Sequence, residues 1–188
     1  GDSVTEGFHS GGQGAFVSGE FQLQQGNQIE ILVGQSGLGT SCGGGGGGGS
    51  FVVMNNIPML IAGGGGGAMS CNYRSNVGGT GFDAPANDTC GTSGGQNNCY
   101  NSGTAPEVGG CGGDGGNSGS YGGGGGGFIS SGESHSFSMQ GTSYQFGAVG
   151  GNSSSSSTTG PLGGFGGGGG GFDGCCGSAG GGGGYSSG

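Results

Sequence analysis

Gly43-Gly44-Gly45-Gly46-Gly47-Gly48-Gly49-Ser50-Phe51-Val52-Val53, then Pro58-Met59-Leu60-Ile61-Ala62-Gly63-Gly64-Gly65-Gly66-Gly67, set bare backbone directly against residues that want burial. A flexible Gly/Ser tether behaves as a random coil and has no reason to be edged by aromatic and β-branched side chains. Three more runs repeat the arrangement: Gly122–Gly127 before Phe128-Ile129, Gly166–Gly171 between Phe165 and Phe172, and Gly180–Gly184 before Tyr185. Together the five runs hold 29 of the 64 glycines, so they are elements of architecture and not spacers.

A six-residue run in the polyproline-II conformation rises about 3.1 Å per residue with three residues per turn and spans about 19 Å. It makes no internal hydrogen bonds, and its amides and carbonyls point sideways. Without side chains, neighbouring runs can approach closely and bond laterally, and burial forces that bonding because orphaned backbone groups are costly. Solvated coil is the competing state; the aromatic borders favour packed glycine helices. Side-chain burial alone cannot offset the entropy of ordering so many glycines. Dense backbone bonding, disulfides or neighbouring subunits must contribute.

Two β-rich segments stand out. Phe21 and Leu23, then Ile29, Ile31 and Val33, alternate with Glu and Gln across Gln25-Gly26-Asn27, which predicts a hairpin over 14–34. Apolar runs at 50–54 and 59–62 flank Asn55-Asn56-Ile57-Pro58, with Pro58 suited to a turn or strand start. Ser134–Met139 and Tyr144–Val149 read as short edge strands, and Ser153–Thr159 as a solvated loop open to O-glycosylation. No segment carries a helical period, so α-helix should be negligible. The chain therefore reads as one glycine-rich domain over 1–188. It has a β-rich part at 14–62, a Cys/Asn/Gly-rich loop at 68–120, and a glycine-helix part with edge strands at 121–188.

Composition narrows function. The formal charge is −9, with Arg74 the only base, which argues against nucleic acid and anionic membrane surfaces. No stretch is apolar enough for long enough to cross a bilayer, so direct membrane insertion is not expected. A signal peptide's basic and apolar regions are also missing, which fits a mature product, a fragment or part of something longer. Cys42, Cys71, Cys90, Cys99, Cys111, Cys175 and Cys176 are all disulfide candidates, four of them within the 41 residues from Cys71 to Cys111. Their connectivity stays open, and an odd count leaves one thiol unpaired or bridging to another chain. Asn87-Asp88-Thr89 and Asn152-Ser153-Ser154 are N-glycosylation sequons, with Asn97-Asn98-Cys99 a weaker third. Loop cysteines with sequons and no lysine suit a secreted, oxidising setting.

Chemistry is sparse. Gly91-Thr92-Ser93-Gly94-Gly95 matches a nucleophile-elbow string, but chance explains it in so Gly/Ser-rich a chain, and it lacks the strand–turn–helix context. Matches to Gly-x-Gly-x-x-Gly are equally empty, and without lysine there is no P-loop. Cys90, Cys99 and Cys111 lack Cys-x-x-Cys spacing, so disulfides are favoured over zinc. The adjacent Cys175 and Cys176 suit two different partners better than a vicinal bond. The ten acids include no pair set for general acid/base work. Asp83, Asp88 and Asp114 read as solvated loop carboxylates before they read as calcium ligands, and Arg74 as a surface arginine. No catalytic residue, metal site or cofactor is expected. Phe128, Phe165, Phe172 and Tyr185 read as rings sealing the glycine helices against the β-layer, in preference to a sticky face.

One resemblance adds to this reading. Gly14-Ala15-Phe16-Val17-Ser18-Gly19-Glu20-Phe21-Gln22-Leu23, followed by Ile31-Leu32-Val33-Gly34-Gln35-Ser36-Gly37, resembles the opening of the glycine-rich extracellular domain of the anaplastic lymphoma kinase and leukocyte tyrosine kinase receptors. Gly43–Gly49 with Ser50-Phe51-Val52-Val53, and Pro58-Met59-Leu60-Ile61-Ala62 with the glycines after it, are similar to the next block. Gly163-Gly164-Phe165 with Gly166–Gly171, through Gly180–Gly184 to Tyr185, is similar to the closing block; 68–120 and 130–160 are not matched. The resemblance implies a jelly-roll-like β-sandwich joined to a bundle of polyglycine helices. It also implies a strand before Gly11-Gly12-Gln13-Gly14 and more chain after the last run. Either the chain is an excerpt, or another subunit supplies the strand by complementation.

The leading expectation is a secreted, glycosylated structural protein, a self-assembling subunit of an extracellular filament, matrix or surface appendage, whose partners are further copies and glycans. A ligand-binding ectodomain of a receptor tyrosine kinase-like protein is the alternative, and an adhesin or ice-binding protein the second alternative. An enzyme is not expected.

Overall fold

The computed structural model describes residues 1, 9–40, 42–69, 90–91, 109–119, 121–153, 160–173 and 178–188. Most of the predicted 68–120 loop lies outside them, as do Arg74, Asp83, Asp88, Ser93 and most of 153–159. Among the described residues there is one three-stranded antiparallel sheet, one 3-10 turn and no α-helix.

The sheet runs β1 (Ile29–Leu32), β2 (Ser50–Met54) and β3 (Ile57–Ala62), with β2 in the centre. β2 and β3 are joined by Asn55 and Asn56 alone, at φ 50° and 62°. Two left-handed residues give the turn whose twist matches its flanking strands, and asparagine tolerates that region best after glycine. The turn is tighter than the four-residue connection expected from sequence. Pro58 sits inside β3 opposite Val53, where the register slips. A bulge is where a sheet accepts a residue with no amide to donate.

The hairpin expected over 14–34 does not form. Its turn does: Gly26 takes φ +97°, and the Asn27 amide donates to the Gln24 carbonyl at 3.1 Å. The second arm, β1, pairs with β2 instead, Leu32 opposite Phe51 and Ile29 opposite Met54. The start of the first arm lies against the second glycine run: Ala15 donates to Gly63, and Gly12 just before the arm donates to Gly66, both at 2.8 Å. Alternation identified a strand, but partner choice was decided by the non-local gain of placing Leu32 beside Phe51.

Two later expectations also change. Tyr144–Val149 is not a strand: Tyr144–Phe146 is a 3-10 turn closed by Gly147 at φ 92° and Ala148 at φ 52°. The Tyr144 amide donates to the Gly127 carbonyl at 3.0 Å, which anchors the ring under the sheet. Ser134–Met139 likewise forms no strand; His135 and Ser138 bridge across a tight reversal, and Ser138 bridges to Ser153.

Side chains make a small core. Phe51 and Val53 of β2 and Phe128 are buried, with Leu32, Ile61, Tyr144 and Tyr185 packed around them. The Phe128 and Tyr144 rings stack 5.1 Å apart at 13°, and Phe51 lies 5.1 Å from Tyr144. Tyr121, His135, Phe137 and Phe172 form a second ring cluster, with Phe137 and Phe172 5.0 Å apart. The aromatics bordering the glycine runs therefore divide. Phe128 and Tyr185 join the sheet core, Phe172 joins the second cluster, and Phe165 stays 41% exposed.

Apart from half-buried Gly48, Gly63 and Gly64, the glycine runs are buried, and they are bonded through their backbones. Along the first run, the donors address three neighbours in rotation. Gly44 and Gly47 donate to Ala68 and Gly65, Gly45 and Gly48 to Leu38 and Gln35, and Gly46 and Gly49 to Gly169 and Gly166. Each partner shifts back three residues as the donor advances three, so these neighbours run antiparallel. The last run sits among the others. Gly180 and Gly183 donate to Gly44 and Gly47, and Gly181 and Gly184 to Gly123 and Gly126, both in parallel. Gly64 and Gly67 donate back to Gly183 and Gly180.

Close approach makes glycine obligatory at particular places. A Cβ on Gly46 would fall on the Gly181 carbonyl, and one on Gly182 on the Gly64 carbonyl. A Cβ on Gly119 would meet nothing within 4 Å.

Candidate binding pocket and modification sites

Glu30 is the one charged residue of β1, on the same face as Leu32. Its carboxylate accepts a 2.8 Å hydrogen bond from the Tyr144 hydroxyl, 114 residues away. The 3-10 turn that replaces the expected strand makes this meeting possible, because it holds Tyr144 against Phe128. Burial first, and then the hydrogen bond and negative charge of Glu30, push the Tyr144 phenol up to about 12.

Around this pair lies a cavity of about 580 Å³ lined by Glu30, Leu32, Asn56, Phe128, Tyr144 and Gln145. Its walls come from β1, the β2–β3 turn and the 3-10 turn. Leu32 and Phe128 supply apolar surface, Glu30 acceptors, and Asn56 and Gln145 side-chain amides with both donors and acceptors. Sequence reasoning treated Glu30 as the polar beat of a strand and Tyr144 as part of another. No local signal links them.

A second surface lies on the opposite face of the sheet. Strand alternation puts Ile31, Val52 and Leu60 together there, away from Leu32, Phe51 and Ile61. Residues 19–21 lie over Leu60: the position a Cβ would take on Gly19 is 3.2 Å from Phe21 and 3.3 Å from Leu60. Towards the β1 edge the cover stops, leaving Ile31 70% and Val33 69% exposed.

Of the cysteine candidates, Cys90 and Cys111 are disulfide-bonded, with Cα atoms 4.2 Å apart. The amide after Cys90, on Gly91, donates to Gly110 at 3.0 Å, and Gly110 donates to Ser187 at 2.6 Å, so the bridge is tied to the end of the bundle. Cys42 is buried beside the first glycine run. Cys71, Cys99, Cys175 and Cys176 lie outside the described residues, as does Asn87. Asn152 is exposed, with its carbonyl accepting from the Met139 amide at 2.7 Å. Asp114 accepts from the Ser130 hydroxyl at 3.0 Å. Among the described residues no three His, Cys, Asp or Glu side chains converge, and no helix is long and apolar enough to cross a membrane. No family model, no curated protein and no solved structure matches this chain.

Proposed function

We propose that this chain is a secreted structural protein, a self-assembling subunit of an extracellular filament, matrix or surface appendage. In this reading the glycine runs are polyglycine-II rods, joined to a jelly-roll-like sandwich of which the three-stranded sheet is one part. The observation that carries it is the rotation of donors along Gly44–Gly49, which repeats every third residue. Three residues per turn is the period of the polyproline-II conformation, and a β-ladder would repeat every two. A body built this way has little side-chain chemistry to devote to catalysis. What it has is stiffness, at low mass.

Self-association is supported by the β1 edge. Among the described residues β1 has a strand on one side only, and Ile31 and Val33 stand exposed beside it. Uncovered edges of this kind are templates for strand addition by another chain. The Cys90–Cys111 bridge fits an oxidising compartment.

Negative-stain microscopy and light scattering on the purified protein test assembly, and amide deuterium exchange tests the rods. Ordered polymers, with slow exchange throughout 122–127 and 166–171, are the expected result. A strictly monodisperse monomer overturns the assembly. Fast exchange across those runs overturns the rods.

A further inference from the structure

We propose that the cavity between β1, the β2–β3 turn and the 3-10 turn binds a neutral pyranose, as a monosaccharide or the exposed end of a glycan. The inference is independent of the assembly reading. Sugar recognition needs three things in one place: apolar surface for the C–H face of the ring, acceptors for its hydroxyl protons, and donors for its hydroxyl oxygens. Half-buried Leu32 gives most of the first, with the small exposed part of the core residue Phe128, and Glu30 gives the second. The Tyr144 hydroxyl spends its proton on Glu30, so it offers a ligand only lone pairs. The amides of Asn56 and Gln145 bring the donors.

That mixture separates a sugar from the other ligand an acid beside rings suggests. A cation would use the carboxylate and the amide carbonyl oxygens but would leave the amide N–H donors of Asn56 and Gln145 unspent, whereas sugar hydroxyls use both. Acidic sugars are disfavoured, because Glu30 lies in the cavity and the chain carries a formal charge of −9. Preorganisation is built in: Tyr144 is held by stacking on Phe128 and by the hydrogen bond its backbone N–H donates to the Gly127 carbonyl. Glu30 is held by the strand and by Tyr144.

Saturation-transfer NMR on the intact protein is the test, using methyl glucoside, methyl galactoside and methyl mannoside, with arginine methyl ester and glucuronic acid as separate probes. The expected result is transfer to the ring C–H protons of at least one neutral glycoside. Titration should then show affinity at least fivefold weaker in Glu30→Gln and in Asn56→Gly. The second variant deletes an amide while keeping a residue that accepts the left-handed turn at φ 62°. Amide chemical shifts matching wild type outside the cavity establish that both variants are folded. Three outcomes overturn the proposal: no transfer to any neutral glycoside, transfer unchanged in both variants, or binding of the arginine ester or glucuronic acid in preference to every neutral sugar.

Discussion

The glycine bundle and the sheet core meet at Phe128 and Tyr185, yet opposite kinds of information specify them. In the sheet, identity resides in side chains. Phe51, Val53, Leu32 and Ile61 decide which face is inside and which strand pairs with which. In the bundle, identity resides in the absence of side chains. Gly46 and Gly182 are fixed because neighbouring carbonyls occupy the space a methyl group would need. A core can relax around a cavity, because the loss is confined to a few contacts. Closely bonded backbones have no rotamer to give, so an inserted atom must separate two chains and break their hydrogen bonds.

The harshest way to break that comparison is to put bulk into the bundle. Gly182→Val is expected to abolish the native fold, read as loss of near-ultraviolet dichroism and of slow-exchanging amides in every glycine run. Gly119→Ala, where nothing lies within 4 Å, should stay within about 0.5 kcal/mol of wild type in denaturant titrations. Equal tolerance of the two changes would mean that the glycines are not packed against one another.

Phe51→Ala attacks the other region. Phe51 is 1% exposed and contacts both Phe128 and Tyr144, so a loss of about 3–5 kcal/mol is expected. Because Phe51 packs in the sheet core, deuterium exchange should quicken in β1–β3 well before it quickens in 180–184. Simultaneous loss in both would show one cooperative unit, not two coupled ones.

The Cys90–Cys111 bridge closes a loop with a sequence separation of 21, and its reduction is expected to cost about 2–4 kcal/mol by releasing that loop in the unfolded chain. The native contact at stake is local, through Gly91 and Gly110 to Ser187. Exchange should therefore rise first at 109–116 and 186–188 while the sheet stays protected. That pattern would sharpen the boundary between the regions.

How far each region could be read from sequence follows from the same contrast. The Ser50–Met54 and Ile57–Ala62 strands were legible because they are local: two apolar runs around an Asn-Asn turn pair with each other. The boundaries of the glycine runs were legible too, since aromatics border them. The partner of β1 was not, because alternation defines a strand without choosing its neighbour, and β2 lies 18 residues beyond β1. Tyr144–Val149 misled for another reason. Tyr, Phe and Val have strand propensity, but Gly147 and Ala148 adopt left-handed backbone and the Tyr144 amide is committed to Gly127. The cavity was illegible in principle, since Glu30 and Tyr144 come together only once both regions are in place.

That meeting point carries the smallest expected effect and the most specific one. Tyr144→Phe deletes one exposed hydrogen bond to Glu30 and should cost about 0.5 kcal/mol near neutral pH. The sign of its pH dependence follows from the raised phenol. Folding lifts Tyr144 from an ordinary value near 10 to about 12, so the native state holds the proton more tightly than the unfolded chain. The resulting stability is fully present below about pH 10 and is lost as pH rises through about 12. Wild type should therefore lose stability more steeply than Tyr144→Phe between those values. Ultraviolet titration of its five tyrosines should show one ionising late, and that late step should be missing from the variant. If the late step persists in Tyr144→Phe, another tyrosine is responsible, and the Glu30–Tyr144 bond does not hold the bundle's 3-10 turn to the sheet.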